Sequence, residues 1–170
     1  MVSRLRAPKA VAITWLFSAC SDPGSSDRLT VELASLNPIV VRFDCATQCP
    51  KSTVALTIDY PGAAYNPADT LQLLQYRVDY DLDDVGVQVP YYAEPLSLVV
   101  KPNEMQDVML LAAGDAQRAR LARELDATSA IGDARLQLAG FDWDNRHVFI
   151  DLDFKVQFRR AQGTDDEIDE

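Results

Sequence analysis

Arg146-His147-Val148-Phe149-Ile150-Asp151-Leu152-Asp153-Phe154-Lys155-Val156-Gln157-Phe158-Arg159 is the stretch on which the fold turns. Val148, Ile150, Leu152, Phe154, Val156 and Phe158 occupy alternate places. Phe149, Asp151, Asp153, Lys155, Gln157 and Arg159 fill the places between them. Successive side chains of an extended strand point to opposite faces, so this pattern predicts one long strand over 146–159. One of its faces is apolar and the other largely polar.

The pattern extends upstream. Asp142-Trp143-Asp144-Asn145 is rich in residues that tolerate turn conformations, and 134–141 reads as the strand that leads into it. Near the start of the body, Leu29, Val31 and Leu33 alternate with Thr30, Glu32 and Ala34. Pro38 interrupts that run, and 39–43 resumes it. Residues 53–59 set Val54, Leu56 and Ile58 on one face before Pro61-Gly62 turns the chain. The segment 71–82 predicts a strand with Leu74, Tyr76, Val78, Tyr80 and Leu82 on one side. After a break at 86–90, a short strand is predicted over 95–100. Lys101-Pro102-Asn103-Glu104 then turns into a strand over 105–111.

One segment has a different period. Residues 113–126 contain no β-branched residue, are rich in Ala, Arg and Leu, and place Leu121 and Leu125 at i and i+4. They predict one short helix covering an end of the sheets. Seven to nine turn-punctuated strands with a single helix point to a mainly β fold, an antiparallel β-sandwich over 29–160. A parallel α/β sheet would need repeated crossover helices. The strand order and closing hairpin resemble the immunoglobulin-like domains found on many exported bacterial lipoproteins. The resemblance is architectural, so it implies an immunoglobulin-like β-sandwich with one short helical insertion and no particular activity.

Composition narrows the function classes. The chain has 170 residues, with 16 Lys and Arg against 26 Asp and Glu, and one His. A formal charge of −10 argues against nucleic acid as a partner, since affinity for phosphate backbones comes mostly from clustered cations. A lone His leaves multi-His metal sites and His-based catalysis without their parts. His147 would need a nucleophile and an orienting carboxylate, and no GxSxG elbow is present. No catalytic residues are assigned, and the reading is of a protein that is not an enzyme.

The first residues carry an address. Arg4, Arg6 and Lys9 precede the apolar run Ala10-Val11-Ala12-Ile13-Thr14-Trp15-Leu16-Phe17. That run falls short of the roughly 20 residues a membrane-spanning helix needs. A basic start, a short apolar stretch and small residues make the order of a secretory signal. Phe17-Ser18-Ala19-Cys20 resembles the lipobox of bacterial lipoproteins, with Phe17 where Leu is usual. The resemblance implies a signal peptide over 1–19, lipidation of Cys20, and a tether over 20–28 that includes Ser21-Asp22-Pro23-Gly24-Ser25-Ser26-Asp27. It also implies a membrane partner reached through an N-terminal acyl anchor. Ser21, in place of Asp, is compatible with sorting to the outer membrane. Cleavage removes three cations and no anion, taking the formal charge from −10 to −13.

Cys45 and Cys49 fit an oxidising compartment, where a CxxxC pair closes a small disulfide loop. Asp81, Asp83 and Asp84, with Asp79, crowd one strand end and are the candidate Ca²⁺ ligands, against the alternative of a solvated acidic face. The turn 142–145 is a weaker oxygen-rich candidate. Tyr91 and Tyr92, with Tyr60 and Tyr65 also in or near loops, are candidate partner contacts, because Tyr offers large contact area at low entropic cost. Residues 161–170 read as an acidic tail. The function expected is that of a lipid-anchored accessory or scaffolding domain that binds another protein, at the periplasmic or cell-surface side. The alternative is a Ca²⁺- or carbohydrate-binding module.

Overall fold

The computed structural model describes residues 29–35, 37–46, 48–60, 69–82 and 85–161. Among them are eight strands and one helix: β1 (Thr30–Leu33), β2 (Ile39–Phe43), β3 (Thr53–Tyr60), β4 (Leu71–Asp81), β5 (Tyr92–Val100), β6 (Glu104–Leu111), α1 (Asp115–Glu124), β7 (Ser129–Phe141) and β8 (His147–Arg160). The domain is mainly β, as its alternating patterns require. It has two sheets. One has the order β1-β3-β6, and the other, curled into a half-barrel, has the order β2-β8-β7-β4-β5.

β8 has the predicted inside and outside. Phe154, Val156 and Phe158 are buried, whereas Asp151, Asp153 and Lys155 on the alternate face are exposed. Phe158 meets Tyr80 edge to face, with ring centroids 5.6 Å apart. From the opposing sheet come Val54, Leu56 and Ile58 of β3, all fully buried. Phe43, Leu71, Leu73, Leu136 and Leu138 complete the layer between the sheets. This burial is the main favourable term holding the sheets together.

Three sequence expectations need correction. The five-stranded sheet is mixed, since β2 runs parallel to β8 while its other pairs are antiparallel. Parallel neighbours need a long connection, and here nearly the whole domain lies between them, so no crossover helix is required. Second, Leu74 does not share a face with Tyr76 and Val78. The register shifts between Leu73 and Gln75, so Leu71 and Leu73 point inward and Leu74 stands 46% exposed. A bulge inserts one residue and flips the alternation on either side of it. Third, β5 and β7 begin earlier than expected, at Tyr92 and Ser129. β5 is an edge strand and Pro95 pairs with Gln75 at the register shift, and both edge strands and bulges tolerate a residue without an N–H.

The helix lies where its period put it. Leu121 and Leu125 are buried, and Leu125 N–H closes the last turn by donating to Leu121 O at 2.9 Å. At the other end, Gly114 N–H donates to Gln117 Oε1 at 3.1 Å. Ala161, assigned by sequence to the tail, still donates its N–H to Phe43 O at 2.9 Å.

Cys45 and Cys49 are bonded, directly after β2. So short a loop constrains the unfolded chain little, and loop entropy sets the stabilisation at about 2 kcal/mol. Cys49→Ser is therefore expected to lower the unfolding free energy by about 2 kcal/mol without unfolding the domain, as read by urea denaturation.

Candidate functional site

The outward face of the five-stranded sheet carries most of the chemistry. Cross-strand pairing on β7 and β8 sets Arg135 opposite Asp153, Asp133 opposite Lys155, and Gln137 opposite Asp151. Each pair is bonded. Arg135 Nε donates to Asp153 at 2.8 Å, Lys155 Nζ lies 2.6 Å from Asp133, and Gln137 Nε2 donates to Asp151 at 3.0 Å. On β4, Arg77 Nε donates to Asp79 at 2.9 Å. Such exposed pairs contribute little energy individually. Their effect is to make the middle of an acidic protein's sheet a nearly balanced, laddered surface.

Beside this ladder the β4 bulge opens a shallow groove of about 510 Å³, lined by Leu74, Arg77, Tyr91, Pro95, Gln137 and Ala139 among others. Tyr91 is 57% exposed, and the Arg77 guanidinium lies 4.2 Å from its ring centroid. A cation over an aromatic face is an attractive arrangement that also holds the ring's position. The backbone beneath is fixed from α1. Gln117, itself buried, donates from Nε2 to Tyr91 O at 2.8 Å and to Pro90 O at 3.3 Å.

The two tyrosines therefore part company. Tyr92 is turned inward, with its ring edge to face with Tyr76 at 6.1 Å between centroids. A Cβ on Gly114 would come within 2.7 Å of the Tyr92 ring, so the Tyr91–Tyr92 step is wedged against the helix start. Tyr60 ends β3 and is buried, its hydroxyl donating to Asp69 at 2.6 Å. Tyr65 lies outside the described residues.

Of the acidic residues named from sequence, Asp81 ends β4 opposite Asp133, while Asp83 and Asp84 lie outside the described residues. Asp79 is paired with Arg77. Among the described residues no group of three or more His, Cys, Asp and Glu is placed to hold a metal ion. In the turn 142–145, Asp142 Oδ1 accepts from the N–H groups of Asp144 and Arg146 at 2.9 and 2.8 Å, a turn-forming role. His147 is exposed and lies between aromatic rings, 4.5 Å from Phe141 and 6.1 Å from Phe149 by centroids. Cys20 and the leader lie outside the described residues, as do 162–170. Among the described residues no helix is long and apolar enough to cross a membrane.

Buried phenols supply the clearest pH dependence. Burial, reinforced by the Glu94 carboxylate, pushes the Tyr76 hydroxyl up to about 12. Burial likewise raises Tyr60, Tyr80 and Tyr92. A folded-state pKa above the unfolded value near 10 means that the stability is complete below pH 10. It is lost as the pH climbs from there through the folded-state value. Melting temperature should hold level approaching pH 10 and fall between 10 and 12, with phenolate absorbance at 295 nm lagging behind that of the urea-unfolded chain.

Sequence reasoning missed Arg77, Leu74 and Gln117. Gln117 left a signal, since it sits four residues before Leu121 on the helix's buried face and is the one polar residue of that stripe. The face of Leu74 depends on a bulge, which alternation alone does not reveal. No family model, curated protein or solved structure matches this chain.

Proposed function

We propose that the chain is a lipid-anchored, non-catalytic envelope domain that holds another protein on the outward face of its five-stranded sheet. The observation that carries the reading is Tyr91. It is a large, exposed aromatic stacked under Arg77, beside a groove, with its backbone fixed by Gln117. Preorganised aromatic anchors next to Arg are what protein-binding hot spots are made of. The Cys45–Cys49 bond supports an oxidising, exported setting. The lipobox-like Phe17-Ser18-Ala19-Cys20 supports a membrane anchor, and Ser21 supports the outer membrane.

We also assign the domain to the immunoglobulin-like sandwiches. The order β1-β3-β6 parallels strands A, B and E of that fold, and β8-β7-β4 parallels G, F and C. The supporting scaffold then presents the GFC-type face, which is the face that bears Tyr91.

A photo-crosslinking residue introduced at Tyr91 in the native cell tests this reading. A single stoichiometric protein adduct is expected, and Arg77→Glu should reduce its yield at least tenfold. The same crosslinker at Glu32, on the other sheet, should give none. Equal, diffuse crosslinking from both positions would sink the proposal.

A further inference from the structure

The end of the sandwich at which the chain enters gathers exposed apolar side chains. β1 begins at Thr30, which pairs with Asp59 of β3, and Asp59 pairs in turn with Met105 of β6. The next residue, Tyr60, accepts at its backbone O from Asn103 N–H at 2.7 Å, and Asn103 lies in the turn that joins β5 to β6. Asp142 opens the β7–β8 turn that carries Trp143. Phe141 and His147 pair across the base of the same hairpin, and Phe149 follows on the outward face. Val99 of β5 lies at this end too, since it pairs with Gln72, and Gln72 pairs with Phe141. Thus Met105 at 76% exposure, Phe149 at 62%, Val99 at 52% and Trp143 at 49% all lie at the end where the chain enters. Their neighbouring cations are paired, Lys101 with Glu104 and Arg146 with Asp144.

We propose that this end of the domain docks on the interfacial layer of the bilayer that holds the anchor. The proposal rests on the lipoprotein reading. Nine residue steps separate Cys20 from Leu29, a span of at most about 30 Å. An acyl-anchored Cys20 therefore keeps the entry end within reach of the headgroups. Trp and other amphipathic aromatics favour that layer, where the ring meets apolar carbon and the indole N–H meets water. Exposed Met and Phe beside them add apolar area to bury. Attraction by charge plays no part, because the protein is acidic and anionic lipid repels it. The occupant is the lipid interface itself, and the acyl anchor supplies the high local concentration that makes a weak contact effective.

The mature chain supplies its own reporter. Of the two tryptophans, Trp15 lies in the leader, so processing leaves Trp143 alone. Protein purified from membranes with its anchor is reconstituted into phosphatidylcholine vesicles, with or without brominated acyl chains. Flotation and the N-terminal mass are measured on the same sample. Trp143 emission is expected to shift to the blue and to lose at least half its intensity in brominated vesicles. Its quenching by acrylamide should fall at least threefold relative to detergent-free protein stripped of lipid. Phe149→Glu, a change at an exposed site, should leave flotation and circular dichroism intact and abolish the bromolipid quenching.

An acylated, floating protein whose Trp143 stays open to acrylamide and blind to bromine overturns the docking and leaves the anchor standing. Protection from acrylamide without bromine quenching means that protein covers this end, and also overturns it. An N-terminus without acyl chains on Cys20 overturns the lipoprotein reading, and the docking falls with it.

Discussion

Gly140→Ala is expected to abolish the folded domain at ordinary temperature. Gly140 lies in β7 opposite Leu73, directly beside the bulge of β4. A Cβ built there meets Gln72 O at 1.8 Å and Leu73 Cα at 2.8 Å, and both are backbone atoms that no rotamer change can move. Relief would require separating β4 from β7, two central strands of the five-stranded sheet. Losses above about 4 kcal/mol belong to such severe clashes, and a domain of this size has only about 5–15 kcal/mol in all. Gly86→Ala is the control. Gly86 has a positive φ of 66° but open space around it, so the variant pays only the left-handed backbone penalty of about 1–2 kcal/mol. Far-UV circular dichroism through a urea titration separates the two. A Gly140→Ala protein that unfolds at the wild-type urea concentration would contradict the β4–β7 register.

Phe158→Ala should be the most damaging truncation in β8, at about 3–5 kcal/mol. The ring is fully buried and packs edge to face on Tyr80, whose hydroxyl donates to Ala112 O at the start of the helical segment. Removing it opens a cavity and frees the tyrosine that ties β4 to the chain before α1. Phe149→Ala, on the opposite face of the same strand, should stay within about 0.5 kcal/mol of wild type. A one-residue slip of β8 would exchange the two faces and reverse the two results.

Much of this fold was legible because alternation is a direct record of which side of a strand is dry. β8, β3 and β2 follow from their own residues, and α1 follows from the one stretch without β-branched side chains. The parts that were not legible depend on partners distant in sequence. The parallel β2–β8 pair joins residues more than a hundred positions apart, and nothing in Ile39-Val40-Val41 specifies the direction of its neighbour. The bulge at Leu74 is visible only once β4 lies against β7, where it turns an apparent core residue into part of the groove. Of the candidate contacts, Tyr91 and Tyr92 look equivalent in sequence. Gln117 and Gly114 separate them by holding one backbone carbonyl and crowding the other ring. The oxygen-rich turn at 142–145 uses its first carboxylate to cap its own backbone, which accounts for the composition there.

The acidity of the chain also takes on a shape. The carboxylates of Asp133, Asp151 and Asp153 are spread along one sheet face and answered by Lys155, Gln137 and Arg135. With Arg77 paired to Asp79, these groups sum to −1 of the chain's −10, so most of the excess charge lies away from the face proposed to bind a partner. Beside its ladder that face offers an aromatic, a guanidinium and apolar side chains.

The central claim is that this domain works from a lipid anchor, and the intact mass of its natural N-terminus tests it most directly. The mass expected is that of a chain beginning at Cys20, increased by the attached acyl groups. A chain beginning at Met1, or at Cys20 with no added lipid, would contradict it.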